Sequence, residues 1–242
     1  MITHYPSVPR AVAIPAAERR AHAVSTLLEL ASHTAPDQIS TAAIAARMGV
    51  SHGALFRHFP SREALWAEAV SWAVAELEHR FAQAATAPGP ESGSAMRPMA
   101  SASLDAERLS QPLAEATSLL AIHAGFLQQH PGLVRMLFAE LQRPATSPAR
   151  ETGKAFMQRF RLRLAGLIAA AQAEGALTPE HDPQELAALL VATQQGLMLQ
   201  ALVHDGFADL TERSRRHVAL VLRAGPGRTP GLGAAPAAAP GE

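Results

Sequence analysis

The sequence predicts an all-α protein. Alanine, leucine and arginine dominate its 242 residues, only 5% are aromatic, and no run alternates as a series of strands would. Apolar residues instead recur three and four positions apart, in segments separated by proline and glycine. We predict an N-terminal three-helix domain, joined by a long connecting helix to a second helical domain.

The first helix is predicted from Pro15 to about residue 33, because proline suits the first turn of a helix. One buried stripe follows helical spacing at Val24, Leu27, Leu28 and Ala31. Residues 1–14 show no such period, and we predict a mobile arm there.

Two short helices joined by a glycine turn come next. Ser40 and Thr41 suit the N-cap of the first helix, and Gly49 can end it in the left-handed conformation. Ser51 suits the cap of the second helix, which runs to about Phe56. Such a short turn is typical of a helix-turn-helix, a motif that places its second helix in the major groove of DNA.

The two helices have different inner and outer faces. Four residues are expected to pack between them: Ile44, Met48, Val50 and Leu55. The N-terminal end of the second helix is small or polar and can approach base edges, whereas nearby basic groups can hold phosphates. The predicted DNA-binding residues are therefore Ser40, Thr41, Ser51, His52, Gly53, Ala54, Phe56, Arg57, His58 and Arg62.

A long helix is predicted from Ser61, its N-cap, to about residue 84. Its apolar stripe comprises Leu65, Ala69, Trp72, Ala73 and Leu77. This helix would connect the helix-turn-helix rigidly to the rest of the chain.

Residues 18–72 resemble the DNA-binding domain of the TetR/AcrR family of bacterial regulators. An amphipathic helix, the run ISTAAIAARMGVSHGALFRHF and the SREALW start of a long helix follow the family's order and spacing. Phe56 replaces the family's usual tyrosine and loses its hydroxyl contact to phosphate, while Arg62 replaces the usual lysine and keeps the charge. The resemblance implies a DNA-binding domain at residues 15–76 and a ligand-binding and dimerisation domain at residues 77–223.

The second domain begins around a segment rich in proline, glycine and serine, residues 86–103. We predict a mobile loop there, which is either a plain surface loop or a gate for a ligand. Further helices are expected at 107–130, 131–143, 147–174, 182–204 and 209–223. Residues 224–242 are a low-complexity tail, predicted to be disordered.

The helix at 182–204 is apolar over more of its circumference than packing on one side requires. Together with the helix at 209–223 it suits a homodimer built as a four-helix bundle, which is also where the resemblance places dimerisation. A dimer would let two recognition helices read half-sites about one DNA turn apart, or a multiple of that.

A partly apolar small-molecule effector is expected among the helices between the connector and the dimer bundle. The candidate ligand-binding residues are His123, Phe126, Met136, Phe138, Gln142, Phe160, Gln194, Gln195 and Met198. The apolar members of this set are equally compatible with ordinary core packing.

Composition excludes several other classes of function. The 21 basic and 21 acidic residues balance, so DNA contact must be local, and without cysteine there is no disulfide or thiolate site. No histidine pair has a metal-ligand spacing and no catalytic or cofactor motif occurs, so we expect no metal site, cofactor or enzymatic activity. Neither a signal peptide nor an apolar run of about 18 residues is present, which favours a cytoplasmic protein without membrane contact.

These observations favour a ligand-responsive transcriptional regulator, a repressor released from a palindromic double-stranded operator by a small molecule. The first alternative is an architectural or adaptor DNA-binding protein with a helix-turn-helix and no ligand. The second is a helical enzyme, for which no paired acids or nucleophile motif provides support.

Overall fold

The computed structural model describes residues 15–86, 110–204 and 206–223. Every regular element in these ranges is helical, which confirms the predicted fold class. The helices are α1 (Ala16–His33), α2 (Thr41–Arg47), α3 (His52–Phe56), α4 (Arg62–Thr86), α5 (Gln111–Gln129), α6 (Pro131–Leu141), α7 (Pro148–Ala173), α8 (Pro183–Val203) and α9 (Leu210–Arg223).

Three predicted segments fall largely outside the described residues. They are the arm at 1–14, the tail at 224–242 and the loop at 86–103, of which only Thr86 is described. Thr86 is the last residue of α4 rather than the first of a loop, and its hydroxyl donates to the carbonyl of Ala82 at 3.3 Å.

The chain divides into two compact units, and each unit is built from separate segments of the sequence. Among the described residues, unit 1 contains 15–78 and 129–156, and unit 2 contains 79–86, 110–128, 157–204 and 206–223. The α6 helix therefore packs with the N-terminal helices, and α4 and α7 each contribute residues to both units.

Unit 1 has a core formed by side chains from several helices, with Leu27, Ile44, Phe59 and Leu65 buried. A short 3-10 helix, Pro36–Gln38, lies between α1 and α2, where proline at its first position already has a helical φ. The first turn of α6 approaches α1 so closely that a Cβ on Gly132 would lie 2.1 Å from the carbonyl oxygen of Leu28.

A buried carboxylate anchors the turn between α6 and α7 in unit 1. Glu140 is buried, accepts a hydrogen bond from the hydroxyl of Ser147 at 2.5 Å and lies 3.4 Å from Arg143. Arg143 also lies 3.7 Å from Glu63 in the first turn of α4. Arg143 therefore supplies an opposite charge, and Ser147 a hydrogen bond, to the buried carboxyl group of Glu140.

Unit 2 contains a stack of aromatic rings in its core. The ring of Phe160 stacks on Phe81 at 5.5 Å and on His123 at 5.2 Å, measured between centroids. All three side chains are buried, and burial lowers the pKa of His123 to about 4. His123 is therefore a neutral imidazole near neutral pH.

The last two helices of unit 2 pack on each other through a buried polar pair. The amide nitrogen of Gln194 on α8 donates to the hydroxyl of Ser214 on α9 at 2.5 Å.

By length and composition α8 could also cross a membrane, with a mean hydropathy of 1.6 over its most apolar stretch. One such helix is weak evidence for a membrane span, since a helix packed in a protein core passes the same test.

Candidate nucleic-acid interface

The turn between α2 and α3 is a Schellman motif. Gly49 has a φ of 68°, and its amide donates to the carbonyl of Ala46 at 3.1 Å. The amide of Val50 donates to the carbonyl of Ala45 at 3.0 Å, which satisfies a second carbonyl at the end of α2. The predicted left-handed glycine is thus confirmed.

The predicted packing between α2 and α3 is correct except at Val50. Ile44 and Leu55 are buried and Met48 is half-buried, but Val50 is exposed. The prediction that Val50 is buried between the helices was wrong: Val50 lies in the turn, outside both helices, and its side chain is 38% exposed.

Serine hydroxyls cap the helices of the motif as predicted. Ser40 accepts from the amide of Ala43 at 3.1 Å, and Ser51 accepts from the amide of Ala54 at 3.2 Å. Ser61 accepts from the amide of Ala64 at 3.1 Å in the first turn of α4. These caps satisfy amides that have no partner within their own helix.

The outer face of α3 carries His52, Gly53 and Phe56, all exposed, whereas Leu55 on the same helix is buried. The Nε2 atom of His52 lies 3.0 Å from the hydroxyl of Thr41 at the start of α2, which fixes the position of the imidazole. A Cβ on Gly53 would meet no atom within 4 Å, so the backbone is open at this position.

The basic residues of the motif have different surroundings. Arg62 donates to the carbonyl of Asp37 at 3.1 Å, and its guanidinium lies 4.8 Å from the centre of the Trp66 ring. Arg57 is exposed; its backbone amide donates to the carbonyl of Gly53 at 3.3 Å, and its guanidinium has no hydrogen bond or ion pair with any residue that the structure describes. The guanidinium of Arg57 therefore has all its donors available, whereas Arg62 already uses part of its capacity to hold the loop before α2.

Two ion pairs of the interface were not predicted from the sequence. Arg47 at the end of α2 pairs with Glu29 of α1, and this hydrogen-bonded contact raises the pKa of Arg47. Arg20 of α1 pairs with Glu68 of α4 at 2.6 Å and donates to the carbonyl of His58 at 3.2 Å. The only signal for them was opposite charges on neighbouring helices, which does not specify the partners.

The predicted ligand-binding residues are divided between the two units. Phe126, His123, Phe160, Gln194 and Met198 are buried in unit 2, and Gln195 is exposed on α8. The other three belong to unit 1, where Met136 is buried, Phe138 is half-buried and Gln142 is exposed. Within unit 2, the oxygen of the Gln194 side-chain amide is buried and has no hydrogen-bond partner among the described residues.

A cavity of about 640 Å³ lies in unit 1, apart from all nine predicted ligand residues. It is lined by Ala21, His22, Val24, Ser25, Leu28, Glu29, Ser32, Trp72, Gln129 and His130. Its ionisable lining residues are His22, Glu29 and His130. In the described part of the chain, no group of three or more histidine, aspartate or glutamate residues is placed to hold a metal ion.

Two family models match separate parts of the chain. The model of bacterial regulatory proteins of the tetR family matches residues 24–69, and the model of a tetracyclin repressor-like C-terminal domain matches residues 139–218. The chain belongs to the TetR family. The first match includes every predicted DNA-binding residue, and this TetR-family protein is a DNA-binding regulator; the family comprises transcription regulators rather than enzymes.

Known relatives of this TetR-family chain are distant in sequence. The nucleoid occlusion factor SlmA of Marinomonas sp. (strain MWYL1) is 24% identical over 179 residues, which cover 74% of this chain and 80% of that relative. A TetR transcription regulator from Haloarcula marismortui ATCC 43049 has a TM-score of 0.66 at 16% identity, over 86% of this chain and 98% of that one. FadR from Bacillus subtilis, in complex with stearoyl-CoA, has a TM-score of 0.63 at 13% identity, over 84% and 97%. The two structures therefore share the fold.

Proposed function

We propose that the protein is a ligand-responsive transcriptional repressor, which binds a palindromic operator as a homodimer and is released by a small molecule. The outer face of α3 carries this proposal. His52, Gly53 and Phe56 are exposed there, with Arg57 directly after them. A recognition helix needs such a face, because its N-terminal residues contact base edges in the major groove.

We assign two roles to the predicted DNA-binding residues. The N-terminal part of α3, with its small side chains and the His52 imidazole held by Thr41, faces the bases. Arg57, His58 and Arg62, with the hydroxyls at the start of α2, contact phosphates and fix the register. The Nη1 group of Arg62 donates to the carbonyl of Asp37 while the guanidinium lies over the Trp66 ring, which leaves other N–H groups of the guanidinium for this purpose.

The proposed homodimer uses an apolar stripe on α8. Leu189, Gly196 and Val203 are exposed at intervals of seven residues, and Leu199 is exposed between the last two. On α9, Leu220 is also exposed. A heptad spacing of this kind suits a seam between two helices, and exposed apolar residues in a row favour a partner surface.

The proposed effector site lies in the core of unit 2. Its aromatic and apolar groups suit the apolar part of a ligand, and the buried amide oxygen of Gln194 is a hydrogen-bond acceptor in need of a donor. The stearoyl-CoA complex of the Bacillus subtilis relative supports a small-molecule effector for this fold. Release from DNA requires the effector to bind more tightly to a conformation in which the recognition helices are wrongly spaced.

Mobility-shift titration of the full-length protein tests DNA binding, with the DNA flanking its own gene and with duplexes selected from a random library. We expect a specific complex. His52→Ala and Arg57→Ala should each weaken it about 5- to 100-fold while the thermal unfolding midpoint changes little, since both side chains are exposed. The absence of any specific complex would refute the proposal, and full affinity in both variants would mean that α3 does not read the DNA.

The second candidate function is an architectural DNA-binding protein or adaptor without an effector. The match to a nucleoid occlusion factor favours it, since that relative is named for its role at the nucleoid. A thermal-shift screen with acyl-CoA, lipophilic and cationic compounds distinguishes the two candidates. A compound that stabilises the protein and also dissociates the operator complex supports the repressor. If the protein binds the operator but no stabilising compound weakens that binding, the result supports the adaptor.

A further inference from the structure

Phe56 is an exposed aromatic side chain on the surface that faces DNA in the proposed function. It is 51% exposed, although most large apolar side chains in this unit are buried. His52 and Phe56 are four positions apart on α3 and therefore lie on the same face, whereas Leu55 is buried. Packing within the chain does not account for this exposure.

The neighbourhood of Phe56 holds its ring on the outer face. The ring centroid lies 6.1 Å from that of His52, with an angle of 51° between the rings. His52 is itself held by Thr41. Gly53, between the two on the same helix, leaves the backbone open. Because half of the Phe56 side chain is exposed, its ring is accessible to a molecule that contacts this face.

The chemistry of the ring restricts what it can recognise. Phenylalanine has no hydrogen-bond donor or acceptor, so Phe56 cannot bind a phosphate as a hydroxyl at this position would. In the major groove, the apolar group that distinguishes one base from the others is the C5-methyl of thymine. We propose that Phe56 reads the methyl group of a thymine in each half-site of the operator, an inference that rests on the proposed DNA binding.

The experiment replaces thymine by uracil, one position at a time, in the duplex selected by the full-length protein. This exchange removes the methyl group and keeps the hydrogen-bonding edge of the base. We expect one position in each half-site where uracil weakens binding about fourfold, the equivalent of one buried methyl group. The Phe56→Ala variant should bind the thymine duplex and the duplex with uracil at that position with the same affinity.

Arg57→Ala is the control, because loss of a phosphate contact should weaken both duplexes by the same factor and preserve their ratio. Circular dichroism verifies that Phe56→Ala remains folded. The inference is wrong if uracil weakens binding at no position, or if Phe56→Ala lowers the affinity for the thymine and uracil duplexes by the same factor. In both cases the proposed DNA binding still stands. If no selected duplex binds at all, the proposed function itself fails.

Discussion

Gly132 lies where the first turn of α6 meets α1, and at this position one methyl group decides whether the two helices fit. A Cβ there would lie 2.1 Å from the Leu28 carbonyl oxygen, a backbone atom that cannot move away by itself. Gly166, in contrast, is an interior residue of α7 with no atom within 4 Å of the position of its Cβ. Gly132 is therefore the test position for the close approach of the helices, and Gly166 is its control.

We expect Gly132→Ala to lower the free energy of unfolding by about 1–3 kcal/mol, because α6 must shift away from α1. Gly166→Ala should raise it by about 0.5–1 kcal/mol, since alanine loses less entropy than glycine in a helix. Urea unfolding followed by circular dichroism measures both. Equal stability of the wild type and Gly132→Ala would contradict the close approach of the helices.

We expect His123 to make the stability of the protein depend on pH. Its pKa falls from 6.5 to about 4 through burial, so the folded state resists protonation. The stabilising contribution is complete above pH 6.5, the unfolded pKa, and is lost as the pH falls from there towards 4. We expect about 2–3 kcal/mol to be lost over this range.

Urea unfolding between pH 7.5 and 4.5 measures this dependence, with His123→Phe as the comparison. Phenylalanine keeps a ring against Phe160 and removes the titrating group. The difference between the two profiles isolates His123 from the carboxylates, which titrate in both proteins. Parallel profiles would show that protonation of His123 is not coupled to unfolding.

At the scale of elements, the ends of the helices follow from local sequence. Ser40, Ser51 and Ser61 cap their helices as predicted, and Gly49 adopts its left-handed conformation. Each of these contacts joins residues at most a few positions apart, so the sequence contains the whole signal. The apolar stripe of α8 is also visible in the sequence, but its partner is not.

Leu199→Glu tests that stripe. A carboxylate within an apolar seam must be desolvated, so we expect the variant to weaken self-association at least tenfold in sedimentation velocity. Leu162→Glu is the matched control, because Leu162 and Leu199 are both 50% exposed and Leu162 lies on α7. If both variants associate as the wild type does, α8 does not form the dimer interface.

At the scale of the whole molecule, balanced charge restricts how the protein can hold DNA. With 21 basic and 21 acidic residues there is no global attraction, so the salt dependence of binding should report a few local contacts. Arg57 is a basic residue of the motif whose guanidinium is exposed and has no hydrogen bond or ion pair with any described residue. In the proposed dimer two copies of Arg57 would contact the DNA, one in each half-site.

Arg57→Ala should therefore reduce the slope of log affinity against log salt by about two, one for each half-site. Fluorescence anisotropy with the selected operator, between 50 and 300 mM salt, measures the slope. Lys154→Ala removes the same charge from an exposed position on α7 and should leave the slope unchanged. An identical change in both variants would mean that overall charge, rather than the Arg57 contact, drives binding.

The sequence by itself determined the helical class, the helix-turn-helix, its caps and its glycine, because their signals repeat with the helical period or act between near neighbours. Only the tertiary structure decided how the charges of the site are used. Arg47 pairs with Glu29 and Arg62 holds Asp37, which leaves Arg57 available. Such pairings, like the fit of Gly132 against α1, join residues far apart in the chain, where many partners are compatible with the sequence and packing selects one.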